Sequence, residues 1–115
     1  DAHSAGMKVV VKESLANGRL TQGNRNENDV FARSIGRIRE IAQARGSTIE
    51  MQALAAALSR PWADVVLSGA ATAQQIQSTV AALGTAYDPE IEEQLRSISV
   101  SSVEYWRARS GFGWN

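Results

Sequence analysis

Two short, almost wholly apolar runs, Val9-Val10-Val11 and Val65-Val66-Leu67, constrain the fold of this chain more than anything else in it. Such a run, bounded by turn residues, suits a strand buried on both faces. The first is the centre of an extended stretch over residues 7–11. A long helical pattern separates the two. Strands parted by helices pair in parallel, which argues for the α/β class. Two strands are too few, however. A parallel pair flanked by helices normally belongs to a larger sheet or barrel. Alone, each strand leaves an open apolar edge. Either the helices wrap the pair, or the chain borrows a partner, or it is a piece of something larger.

The second run opens the most organised stretch, residues 64–83. A tight Ser68-Gly69-Ala70-Ala71 turn follows it. Thr72 is a good helix N-cap, and Gln75 three residues on completes a capping box. Ile76, Val80 and Leu83 fall at i, i+4 and i+7, so one face of the helix is apolar. Gly84 stands where a left-handed C-cap is wanted. Strand, glycine turn and helix N-terminus together favour an anion, often a phosphate. A plain βα connection without ligand has the same pattern, and a single glycine is weaker than a full glycine-rich fingerprint. Spacing alone leaves both readings open.

The 115 residues suffice for one domain with one core. Twelve basic and twelve acidic side chains cancel, so there is no basic footprint for nucleic acid and no polybasic patch for a membrane. The absence of cysteine excludes disulfides, thiolate catalysis and Cys-ligated zinc. It suits a reducing compartment, and the cytoplasm is the expectation. No metal site is predicted. No apolar run approaches the roughly 20 residues that span a bilayer. No signal peptide is evident, and a start at Asp1 suggests a trimmed or excised chain.

Along the chain, residues 1–6 read as a ragged end. Residues 14–18 form either one helical turn ended by Gly18 or an irregular loop. Residues 21–28 are polar without period, a loop that serves as a lid or as a solvated connector. Residues 29–45 are helical, with Phe31, Ile35, Ile38, Ile41 and Ala42 on one face, and Gly46 ends that helix. Ser47 then starts the next helix, with Glu50 as its capping-box partner. Met51, Leu54, Ala55 and Leu58 mark its apolar face, and the alanines of 53–57 allow close approach by a neighbour. Pro61 stops it, and Trp62 reads as a packing residue. Asp88-Pro89-Glu90 gives an N-cap, a proline at N1 and an acidic first turn. Ile91, Leu95 and Ile98 form the buried side of that helix. Ser101 and Glu104 form a third capping box, ahead of a short helix over 103–109. Phe112 or Trp114 is expected to pin the tail. The order is strand, two helices, strand, three helices.

The chain resembles the C-terminal part of an aldo-keto reductase, a family of (β/α)8 barrels that use a nicotinamide cofactor, usually NADPH. VVVKESLANGRLT resembles the seventh barrel strand and its loop. IAQARGSTIEMQALAAALSRPWADVVLSGAAT resembles the seventh helical layer, the helix–proline segment and the eighth strand with its turn. AQQIQSTVAAL resembles the last barrel helix, and EYWRARSGFGWN resembles the tail of a subgroup. The implied fold is a partial (β/α)8-type barrel fragment, one unit over 1–115, with two short parallel strands and about five helices.

The resemblance also implies a site. The loop after strand seven contacts the cofactor pyrophosphate in the family, which implies Glu13, Ser14, Leu15 and Asn17, with Gly18 at the edge of the set. The loop and helix after strand eight hold the adenosine side, which implies Gly69, Ala70, Ala71, Thr72, Gln75 and Thr79. The cofactor so implied is NADP or NAD. Several positions depart from the family. Glu13-Ser14-Leu15 stands where Ser-Pro-Leu is common. The basic residues usual near the strand-eight turn and at the place of Gln75 are missing, and a 2′-phosphate wants Arg or Lys. Thr79 replaces an asparagine that faces the adenine, and Ala56 replaces a tryptophan. The family's catalytic Asp, Tyr, Lys and His belong to earlier strands, and no replacement is found here. His3 is a bystander in the frayed start, and Tyr87 and Tyr105 are expected to lie outside the site and to pack, or to cap helices with their hydroxyls. Lys12 ends the first strand, where it touches a phosphate or is merely solvated or ion-paired. The expected function is therefore part of a dinucleotide site without turnover by this chain alone. The alternative is an interaction or oligomerisation module, whose partner is a second copy or a complementing chain.

Overall fold

The computed structural model describes residues 1–24 and 28–111. The expected anchoring by Phe112 or Trp114, and the middle of the 21–28 loop, lie outside those residues. The element order is β1 (Val10–Val11), α1 (Ala32–Ala44), α2 (Ile49–Leu58), β2 (Val65–Val66), α3 (Ala73–Ala82), α4 (Pro89–Arg96) and α5 (Ser102–Ser110). The class is mixed α/β, with two strands and five helices among the described residues, consistent with part of a (β/α)8-type barrel. The strands pair in parallel, Val10 beside Val65 and Val11 beside Val66. Both are shorter than the apolar runs that announce them.

The strands are not buried on both faces. Val10 is 54% and Val65 49% exposed, and they are register partners on one side of the sheet. Val11 and Val66, on the other side, are half-buried. Side chains alternate along a strand, so helices cover one face and leave the other open. α2 packs against β2, α1 and α3, and α1 packs against α4. The core lies between these helices: Ile35, Ile41 and Ala42 from α1, Ile49, Leu54 and Ala55 from α2, Ala82 from α3 and Ile91 from α4.

Local signals set most helix ends. Thr72 accepts from the Gln75 N–H, and Gln75 reaches back to the Thr72 N–H at 3.1 Å, a complete capping box. Ser101 and Glu104 do the same for α5. Asp88 caps α4 through the Ile91 N–H, with Pro89 in the first turn. Gly46, at φ +64, closes α1: its N–H donates to Gln43 O and that of Ser47 to Ala42 O. That pattern is a Schellman motif.

Other expectations are corrected. The N-cap of α2 is Thr48, which accepts from Met51 N–H, because Ser47 is committed to closing α1. Glu50 is no box partner; its carboxylate accepts from the Gln22 N–H at 2.6 Å. With Arg39 donating to Asn24 O at 3.0 Å, that bond makes residues 21–24 a fastened connector. α1 begins three residues later than expected, since Asp29 forms its own turn with the Phe31 N–H and pairs with Arg19. Gly84 does not take a positive φ: its N–H donates to Ala81 O and that of Thr85 to Ala82 O, so the chain leaves α3 through successive three-residue turns. Trp62 is 43% exposed, so it packs with only part of its surface. The apolar row Ile76, Val80 and Leu83 faces outward. α3 instead buries Ala82 and half-buries Ser78 and Thr79, so a small-residue side meets the alanine-rich α2.

Candidate functional site

Parallel pairing decides where the candidate residues lie. Leu67 N–H donates to Val11 O at 2.9 Å, so the two strands leave the sheet together at its C-terminal end. Residues 12–18 follow β1 and residues 68–72 follow β2. The ten residues implied by resemblance thus belong to two loops and one helix at a single end of the sheet.

The first loop is irregular rather than a helical turn. Glu13, Ala16 and Asn17 take φ of +58, +48 and +56, and Gly18 takes +83. Ala16 N–H donates to Glu13 O at 2.8 Å and Leu20 N–H to Leu15 O at 3.1 Å. The Ser14 hydroxyl is buried without a hydrogen-bond partner. Lys12 is exposed. Glu13 points to the far end of the chain, where the Tyr105 hydroxyl and the Arg109 guanidinium donate to it. The Arg109 bond, aided by Tyr105 and by Lys12, holds the Glu13 carboxyl below the usual range despite some desolvation. Burial first, then the Glu13 carboxylate, push the Tyr105 hydroxyl up. Tyr105 therefore does not pack outside the site, as the sequence suggests. Nothing in its spacing reveals this, since 92 residues separate it from Glu13.

The second loop turns at Gly69, whose φ of +65 suits only glycine without strain. The Ala70 N–H donates to the Ser68 hydroxyl at 3.3 Å. Those of Ala71 and Thr72 converge on one acceptor, Gln75 Oε1, at 2.6 and 3.1 Å. The site offers an anion the positive end of α3, yet its own side chain already takes two of the donors. Thr79 turns its hydroxyl back onto Gln75 O at 2.9 Å. None of the ten residues is basic.

Other features lie elsewhere. An apolar cavity of about 310 Å³ sits beneath the β1 loop, walled by Ser14, Phe31, Ile38, Ala56, Ile98 and Tyr105 among others. Of the ten candidates only Ser14 lines it, so this cavity is not where the two loops meet. His3 sits at the opposite end of β2, with Nδ1 3.6 Å from Asp64. Tyr87 donates to Glu92, beside Arg60. Among the described residues no three His, Cys, Asp or Glu side chains are grouped to hold a metal. None of the described helices is long and apolar enough to cross a membrane.

Comparison with known proteins agrees with this topology. The model of the aldo/keto reductase family matches residues 2–100. None of the curated proteins matches the chain. The matched stretch takes in both strands, both loops and helices α1 to α4. The family is one of oxidoreductases that generally use NAD(P)H. A match over most of the chain, on a parallel strand pair flanked by helices, places the protein in the aldo/keto reductase family.

Proposed function

We propose that residues 1–115 form one unit corresponding to the C-terminal third of an aldo-keto reductase barrel, its seventh and eighth strands and last helices. It carries part of a nicotinamide-dinucleotide site. The observation that carries this reading is the parallel register of Val10 with Val65 and Val11 with Val66, which brings both loops to one end of the sheet. In such barrels that end holds the active site. The open face at Val10 and Val65 supports it, since a closed barrel would fold that face inward.

The first loop, Glu13, Ser14, Leu15 and Asn17, meets the pyrophosphate with its backbone. The second, Gly69 to Thr72 with Gln75 and Thr79, meets the adenosine side. The donors there are neutral N–H groups and hydroxyls, which suit ribose hydroxyls better than a 2′-phosphate. The bound cofactor would supply hydride transfer, which also needs a positioned acid. That acid lies on strands outside this stretch, so the chain by itself reduces no carbonyl. Titration with NADH and NADPH, followed by fluorescence or calorimetry, tests the reading. Saturable binding of either supports it. Affinity weaker than millimolar for both overturns it.

A second reading, an interaction module, is favoured by the same open face. Val10, Val65 and Leu67 are about half exposed, and the strand pair has free edges among the described residues. A second copy or a complementing chain would cover them. Light scattering separates this from a clean monomer.

A further inference from the structure

The β1 loop is held in a costly shape, and the residues that hold it come from α5. Glu13, Ala16 and Asn17 occupy the left-handed region, at φ of +58, +48 and +56. Side-chain-bearing residues persist there only where their surroundings over-determine them. One such surrounding is visible. Glu13 Oε2 accepts from the Tyr105 hydroxyl at 3.1 Å and from Arg109 Nε at 3.4 Å, and Oε1 accepts from Arg109 Nη2 at 3.4 Å. The donors stand four residues apart on α5, on one face of the helix. α5 is anchored in turn, because the Tyr105 ring stacks on Phe31 at 6.3 Å, just ahead of α1. The Arg109 and Glu13 side chains are only 13% and 26% exposed, so solvent screens the pair less than a surface one.

We infer that α5 is a clasp on the β1 loop: Tyr105 and Arg109 grip the Glu13 carboxylate and so keep residues 13–18 in the strained form that receives a dinucleotide pyrophosphate. The inference rests on the dinucleotide reading given above. Tyr105 and Arg109 are positioning residues, since their partner is Glu13 and not the ligand. The grip has a second effect. A free carboxylate in this loop would repel a pyrophosphate, and Arg109 both cancels that charge and turns it toward α5.

The test uses the full chain with Tyr105→Phe, which removes one hydroxyl and keeps the ring stack on Phe31, and Tyr105→Phe/Arg109→Gln. Amide hydrogen exchange reads the loop without any ligand, and NADPH titration reads the site. In the double variant, exchange at residues 13–18 should rise about tenfold or more while the α2 amides keep their protection. NADPH affinity should fall about tenfold with it. Adding Ala16→Gly should restore loop protection, because glycine takes a positive φ without steric cost. A contact that merely pinned α5 would not be rescued from inside the loop. Unchanged exchange at 13–18, or no rescue by Ala16→Gly, overturns the clasp. If the loop loosens and is rescued while the unaltered protein binds neither NADPH nor NADH, the clasp stands and the dinucleotide reading falls. If the double variant unfolds, Tyr105→Phe alone, with and without Ala16→Gly, decides between the same outcomes.

Discussion

Arg60 grips Glu92 with both arms of its guanidinium, Nη2 at 2.8 Å from Oε2 and Nη1 at 3.2 Å from Oε1. Arg60 follows α2 and Glu92 lies in α4, so the pair ties two helices that are far apart in sequence. Tyr87 donates to the same carboxylate. Arg60 first, then Tyr87, hold the Glu92 carboxyl down at about 2.

A pH prediction follows from that depression. A carboxyl held lower in the folded state than in the unfolded one stabilises the fold above its unfolded value, here 4.5. The contribution fades as pH falls from about 4.5 toward about 2. Glu92→Gln should therefore melt lower than the unaltered chain at pH 7, and the gap should narrow across that acid window. Thermal melts at pH 7, 4 and 3 check it, and a gap independent of pH counts against the pair.

At the alkaline end Tyr87 gives the opposite sign. Burial first, then the neighbouring carboxylate, push its hydroxyl up to about 12. Its contribution is whole below pH 10 and is lost as pH rises through about 12. Tyr87→Phe should abolish that alkaline loss, as read from melts between pH 9 and about 12.

Core and surface isoleucines and valines should separate sharply. Ile49 and Ile91 are fully buried, and Val80 is 60% exposed. Ile49→Ala or Ile91→Ala should cost about 2–5 kcal/mol in urea unfolding. Val80→Ala should stay within about 0.5 kcal/mol. A large loss at Val80 would mean that a partner covers α3.

The α3 terminus allows stability and binding to be moved in opposite directions. Gln75→Glu keeps the acceptor for Ala71 and Thr72 and adds a negative charge at the helix N-terminus. It should stabilise the chain by about 0.3–1 kcal/mol and weaken NADPH binding. Gln75→Arg should instead favour NADPH over NADH. Paired melts and titrations measure both, and parallel changes in the two would count against the proposed anion site.

The open sheet face predicts assembly. If self-association covers Val65 and Leu67, then Val65→Lys should lower the mass seen by light scattering with little change in melting temperature, because the side chain already lies half in solvent. An unchanged mass would place any interface elsewhere.

What the amino-acid order alone determined was local. The Thr72–Gln75 and Ser101–Glu104 boxes, the Asp88–Pro89 start and the Gly46 stop are all settled within a few residues, by hydrogen-bonding reach and backbone sterics. The two valine runs also announced a parallel pair, since the helical pattern between them leaves little other connection. Even so, locality misled where two motifs compete for one residue, as at Ser47, whose N–H closes α1 before it can open α2. Tertiary structure alone decided which side of α3 docks, why Val10 and Val65 stay open, and that Tyr105 and Arg109 reach Glu13 across more than ninety positions. Periodicity reports which residues share a face. Whether that face is covered depends on the shape and closeness of another surface, and in α3 the small side chains at Ser78 and Ala82 fit α2 better than the larger row did.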